Sequence, residues 1–409
     1  MEYNLYELKN GIRVIHHPIK NRVAHCGFII NTGTRDEKIV ENGMAHFIEH
    51  SIFKGTKKRK SHHILNRIDN VGGEINAYTT KEKTCVYASF TSEYLERATE
   101  LLTDIVFDSV YPEKELEKEK DVIIDEINSY QDSPFEQIYD DFEELIFNNH
   151  PLSMNILGTI DSVNSFSRRD VLRFIDKNYA TDQIIFSIIG DFTDKKINLL
   201  INKYLLQPQE KLNPDVRTPF TTYTPFNKVI ERDTYQAHCM IGNVAYSSLD
   251  DKKTGLVLLN NILGGPAMNS RLNMGIREKH GYTYNIESTY TNYSDTGLFG
   301  IYLGTDHKHL DKSIDLVYKE LKKLRNSSLS TAQLQKAKQQ LIGQITLAEE
   351  NKSNVMLGMG ESFLFYNKID SLDEVYEKIN ALRAQDLTDI ANEIFDVNKL
   401  STLIYKPTK

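Results

Sequence analysis

Cysteine is scarce in this 409-residue sequence, which has only Cys26, Cys85 and Cys239. They form no C-x-x-C pair and no even disulfide framework, which excludes a small disulfide-stapled scaffold and a cysteine-ligated zinc ribbon. They read as buried thiols in a reducing compartment. Long apolar runs are missing too. None approaches the length needed to span a bilayer, so no membrane association is expected. The start, Met1-Glu2-Tyr3-Asn4-Leu5-Tyr6-Glu7, lacks the basic and apolar regions of a secretory signal and the arginine-rich amphipathic character of a mitochondrial presequence. A cytoplasmic protein is the expectation. Positive charge is in deficit, with a formal net charge of −8, which argues against general nucleic-acid binding.

What is present is an ordinary globular composition, 40% hydrophobic and 26% charged, in a chain long enough for about two to three domains. The pattern opens with strands around the Asn10-Gly11 turn and from Val23 to Asn31. Helices follow across His46 and from His62 to Val71, the latter stopped by Gly72-Gly73. Ile75 to Thr79 and Thr84 to Phe90 read as paired strands, and Glu93 to Val110, Glu113 to Tyr130 and Pro134 to Phe147 as helices. Arg169 to Tyr179 is a further helix before the strand Gln183 to Ile189. Residues 207–227 carry four prolines and little periodicity, and are the expected linker.

The second half repeats the first in outline. Ala24-His25-Cys26 is matched by Ala237-His238-Cys239. Leu116 to Ile127 is matched by Leu334 to Ile345, with leucine, two lysines and two isoleucines at equivalent places. The reading is an α+β chain of two homologous domains, residues 1–206 and 228–409, each an antiparallel sheet covered by helices. The repeat fails at informative places, since Glu126 becomes Gln344 and Glu119 becomes Ala337.

His46-Phe47-Ile48-Glu49-His50 reads H-x-x-E-H. On a helix, residues four apart leave the same face one turn apart, so His46 and His50 can chelate one metal ion. Two histidines leave a tetrahedral zinc site short of a protein ligand, and Glu49 should stay free as a base. The alternative is a surface helix with two chance histidines. The missing ligand is sought in Leu116, Glu119, Ile123, Glu126 and Tyr130, which fall on one helical stripe. Carboxylates on an otherwise apolar stripe need partners, because burying an unpaired charge costs several kcal/mol. Glu126 is assigned to the zinc, and Glu119 to orienting a ligand histidine through its other nitrogen. A stripe that faces solvent at those two turns is the alternative.

Taken together, these motifs resemble the pitrilysin/insulinase family of zinc metallopeptidases, the inverzincins, and most closely its short bacterial two-domain members and the mitochondrial processing peptidase subunits. Gly43 to His50 and Phe53-Lys54-Gly55-Thr56 resemble the metal helix, and Glu119 and Glu126 the paired downstream glutamates. Asn76-Ala77-Tyr78-Thr79 resembles the substrate-binding edge strand. Arg277-Glu278-Lys279-His280-Gly281-Tyr282-Thr283-Tyr284 resembles a motif whose Arg and Tyr hold the substrate. The resemblance implies one Zn²⁺ per chain on His46, His50 and Glu126, with Glu49 as catalytic base. It further implies that Asn76 and Ala77 pair a peptide substrate as an added strand, and that Arg277 and Tyr284 donate to the scissile carbonyl and the developing oxyanion. On the residues alone, Arg277 reads as readily as a salt-bridge partner of Glu278 or Glu74, and Tyr284 as a core aromatic. The implied function is peptide hydrolysis inside a closed chamber formed by a homodimer. A catalytically inactive structural subunit and a processing peptidase for one protein substrate are the alternatives.

Overall fold

The computed structural model describes residues 3–212 and 216–408, so three residues of the expected linker, 213–215, lie outside the described residues. The chain forms two compact units. Unit 1 comprises residues 1–128, 154–217 and 349–370; unit 2 comprises 129–153, 218–348 and 371–409. The units are thus interleaved along the sequence.

Unit 1 is built on six strands: β1 (Asn4–Glu7), β2 (Arg13–Pro18), β3 (Val23–Ile30), β4 (Glu74–Thr79), β5 (Thr84–Thr91) and β6 (Ile184–Gly190). Their order is β1-β2-β6-β3-β5-β4, antiparallel except for the parallel pair β2–β6. β6 reads Ile-Ile-Phe-Ser-Ile-Ile-Gly and is buried throughout, as a strand covered on both faces must be. Phe186 and Ile188 pack with Phe28, Ile48 and Ile105 under the helices α1 (Met44–Ser51), α2 (Ser61–Asp69), α3 (Leu95–Asp108) and α4 (Glu113–Gln131). Ile185 and Ile189 face the other way, against Met356 and Phe363 of the helix Lys352–Tyr366. Ser187 would be an orphan on that second face, but its hydroxyl donates to the Met356 carbonyl at 2.7 Å.

Unit 2 repeats the scheme with five strands: β7 (Asn227–Arg232), β8 (Ala237–Ala245), β9 (Thr283–Asn292), β10 (Gly297–Thr305) and β11 (Ser401–Pro407). The order is β7-β11-β8-β10-β9, again with one parallel pair, β7–β11. One face carries Cys239 and Ile241 against the helices Lys253–Gly264 and Leu310–Asn326. The other carries Met240 and Leu403 against Ile138 and Phe142 of α5 (Pro134–Ile146). Tyr405 donates to Asp141 of α5 at 2.6 Å, which satisfies the phenol on that face. Each half of the chain therefore supplies the helix that covers the second face of the sheet built mainly from the other half. That exchange explains why both sheets have strands without polar alternation. The two-unit α+β architecture is as expected; the sheets differ from the expectation only in their one parallel pair each.

The linker region is pinned in place. Arg217 donates two hydrogen bonds to Asp36, at 2.8 and 2.7 Å, and one to the Glu82 carbonyl at 2.7 Å. The three cysteines are free and buried. Among the described residues no helix is long and apolar enough to cross a membrane. Strand alternation turns His16 fully inward, where Nε2 lies 3.2 Å from the Gly190 carbonyl. The rings of His62 and His63 lie 3.9 Å from one another.

Candidate functional site

The site begins at Gly43, whose φ of +91° a residue with a side chain seldom adopts. A Cβ there would also meet the Gly158 Cα at 2.7 Å. From this turn α1 projects His46 and His50 on one face, with ring centroids 4.5 Å apart. Two N–H groups at the start of α1, buried and without a helical partner, are satisfied by the buried side chain of Glu37. Gly43 N–H donates to its Oε2 and Ala45 N–H to its Oε1, both at 2.8 Å.

α4 supplies the carboxylates. Glu126 Oε2 lies 3.4 Å from His50 Nε2 and 3.8 Å from His46 Nε2. One potential ligand atom from each of the three residues falls within 4.8 Å of the others. Two atoms bound to one tetrahedral zinc at about 2.1 Å lie about 3.4 Å apart, so these separations suit a shared Zn²⁺. They are also longer than strong hydrogen bonds. Burial and the neighbouring His50 lower the His46 pKa to about 4, so this imidazole is neutral, the form a metal needs. His50 Nδ1 donates to Glu119 Oε1 at 3.0 Å, and Glu119 Oε2 pairs with Lys54 Nζ at 2.6 Å. Burial pulls the His50 pKa down, but Glu119 and Glu126 outweigh it and bring the group to about 9, so a metal bound there would displace the Nε2 proton. The donor set and its spacing fit zinc.

Glu49 is half-buried on the same helix and is not one of the converging groups. Burial raises its carboxyl above the ordinary value, and the side chain and backbone of Thr79 oppose that rise. Thr79 ends β4, which among the described residues pairs with β5 alone and so leaves its second edge open. Asn76 and Ala77 lie on this edge strand.

Arg277 and Tyr284 lie in unit 2, on the π-helical turn Asn273–Glu278 and on β9. The structure brings them together, with the guanidinium carbon 5.4 Å from the ring centroid. The salt-bridge alternative for Arg277 has some basis, since Nε lies 3.9 Å from Glu278. The core-aromatic alternative for Tyr284 fails, because the side chain is 81% exposed. The helical stripe needs one correction. Leu116, Glu119 and Ile123 are buried, but Tyr130 is 37% exposed and Ile127 takes its place. A helix of 3.6 residues per turn drifts off a seven-residue repeat, and two turns past Ile123 the drift turns Tyr130 outward.

Sequence reasoning missed Glu37 and gave Lys54 no role. Glu37 sits before the helix it caps, at no spacing that a capping box would flag. Glu37→Gln keeps one acceptor oxygen but sets an amide NH₂ against the other of these two N–H groups. The expected result is a loss of about 1–3 kcal/mol in stability and weaker zinc retention. Urea denaturation checks the first; unchanged stability would mean that Glu37 does not hold α1.

Residues 13–160 match the model of the insulinase family (peptidase family M16), and residues 165–341 that of the peptidase M16 inactive domain. The chain is 31% identical over 404 residues to an uncharacterized zinc protease of Bacillus subtilis, covering 98% of this chain and 97% of that one. It is 28% identical over 402 residues to the mitochondrial-processing peptidase subunit beta of Saccharomyces cerevisiae, covering 94% and 87%. The crystal structure of a protease from Helicobacter pylori matches with a TM-score of 0.91 at 23% identity, over 99% of this chain and 100% of that one, which shows a shared fold. On both the family models and these full-length matches, the chain belongs to the insulinase family of peptidases, M16, and to its short two-domain type.

Proposed function

We propose that this chain is a zinc-dependent endopeptidase that hydrolyses peptides or small unfolded proteins, with one Zn²⁺ per chain held by His46, His50 and Glu126. The observation that carries the reading is the convergence of those three side chains, with Glu49 left over beside the open edge of β4. When bound, zinc supplies Lewis acidity that polarises the scissile carbonyl and acidifies a water. Glu49 takes the proton of the attacking water and returns it to the leaving amine. Its burial makes the carboxylate a better base than a solvated one. Glu119, held by Lys54, fixes the His50 tautomer so that Nε2 keeps its lone pair. Asn76 and Ala77 pair the substrate backbone as an added strand.

Arg277 and Tyr284 are assigned to the substrate carbonyl and the developing oxyanion, as adjacent, solvent-facing donors. A two-fold homodimer enclosing a chamber, in which Arg277 and Tyr284 of one protomer serve the zinc site of its partner, in a reducing cytoplasmic setting, completes the proposal. The three free buried thiols support that setting.

Incubation of a peptide library with the protein, followed by mass spectrometry, tests the reading. Cleavage is expected, lost on chelation and restored by zinc. A protein that holds zinc yet leaves all peptides intact would be the inactive structural subunit. In the same assay, Glu49→Gln refolded with the double variant Arg277→Ala, Tyr284→Phe is expected to regain activity, since mixed dimers then hold one undamaged set. Mixed dimers that stay inactive would sink that arrangement.

A further inference from the structure

Tyr284 and Arg277 are held in unit 2 by different means. Tyr284 follows Thr283, whose buried hydroxyl donates to the Gly304 carbonyl at 2.5 Å and ties the start of β9 to β10. A phenol on a fixed backbone has little freedom left. An arginine keeps four torsions and is among the side chains with most rotamer freedom to lose. Its guanidinium therefore needs a second point of attachment if it is to wait in one place.

The π-helical turn Asn273–Glu278 is anchored by Leu272 and Ile276 in the unit 2 core, while Met274 and Glu278 face solvent. Asn273 is only 7% exposed and stands four residues before Arg277, so the two side chains meet along one side of the turn. Both ends of its amide are used. Nδ2 donates to the Met268 carbonyl, and Oδ1 accepts from Arg277 Nη1 at 3.4 Å, a long contact. The chain at Met268 is tethered in turn, because Gln340 Nε2, on the helix Thr331–Ala348, donates to Asn269 Oδ1 at 2.9 Å.

The other neighbours of the guanidinium are less confining. Glu278 lies 3.9 Å from Nε and is itself largely in solvent, where an ion pair fixes little. The Tyr284 ring offers a face but no direction to the N–H groups. Asn273 is the buried, directional partner, and it is neutral. An amide oxygen orients the guanidinium without cancelling its charge, whereas a carboxylate there would compete with a substrate oxygen for it.

We infer that Asn273 is a positioning residue: Oδ1 sets the Arg277 guanidinium for the substrate carbonyl, while Nδ2 fixes Asn273 to the Met268 carbonyl. This role rests on the peptidase reading above, in which Arg277 meets the substrate, and Asn273 acts through Arg277 alone.

Peptide turnover by the zinc-loaded full chain, compared in the parent, Asn273→Ala, Arg277→Ala and the double variant, tests it as a double-mutant cycle. Asn273→Ala is expected to lower kcat/KM about tenfold in the parent, the worth of one hydrogen bond to a charged group, and less than about twofold once Arg277 is gone. Zinc content and the urea midpoint identify folded protein. Asn273→Ser, too short to span both partners, gives the same comparison if the alanine variant does not fold. An equal loss in both backgrounds would make Asn273 a structural staple and overturn the role alone, as would unchanged kcat/KM in a folded variant. A zinc-loaded parent that cleaves no peptide overturns the peptidase reading and this role with it. An Arg277→Ala protein as active as the parent removes Arg277 from the reaction, and Asn273 with it.

Discussion

Glu49→Gln is expected to lower peptide turnover by about 10³-fold, within the range for removing a positioned general base, while the chain keeps its zinc and its fold. The argument is geometric. His46, His50 and Glu126 place their ligand atoms within 4.8 Å of one another, and Glu49 is outside that group although it lies on the same helix. Its neighbours are Thr79 at the end of β4 and the His50 and Glu126 charges. Glutamine keeps the shape and the acceptor oxygen but cannot take a proton, so binding should survive and chemistry should not. The effect should therefore appear in kcat with little change in KM. A Glu49→Gln protein with near-normal turnover would remove Glu49 from the reaction.

Glu126→Gln is expected to weaken zinc binding by more than about 100-fold. Loss of a partner that merely orients a ligand already costs about 10–100-fold, and Glu126 is the anionic member of the converging set. The neutral amide can offer an oxygen, but not the charge that offsets the metal's. Its counterpart in the repeat gives an internal control. Gln344 occupies the place of Glu126 in unit 2, where the facing helix Lys253–Gly264 carries no histidine. Gln344→Ala should leave zinc content unchanged, so that the pair separates a local loss from a general loosening of the fold.

The parts of this site that were legible in the sequence are the ones governed by spacing along a single helix. His46 and His50 four apart, and Glu119 and Glu126 seven apart, project together because helical geometry leaves no other choice. Even there the stripe was read one turn too far, and Ile127, not Tyr130, completes the buried face. The parts that were not legible depend on distant chain. Glu37 is held against the start of α1 by tertiary structure, and nothing in its local pattern marks it as a cap. The helix Lys352–Tyr366 has apolar residues on all sides, so its sequence does not say which sheet it covers; it belongs to unit 1, while α5 belongs to unit 2. The parallel pairs β2–β6 and β7–β11 each join strands from opposite ends of a unit, a pairing that local strand propensity cannot specify. His16 shows the same limit at the scale of one side chain: a histidine pair looks solvent-facing until strand alternation decides which member is buried.

The central claim is that one zinc is held by His46, His50 and Glu126, with Glu49 off the metal. Zinc content by atomic emission, measured side by side on the parent chain and three variants, tests it most directly. One zinc per chain is expected in the parent, in Glu49→Gln and in Gln344→Ala, and far less in Glu126→Gln at the same free zinc. A zinc-free Glu49→Gln protein, or equal loss in Glu126→Gln and Gln344→Ala, would contradict the account.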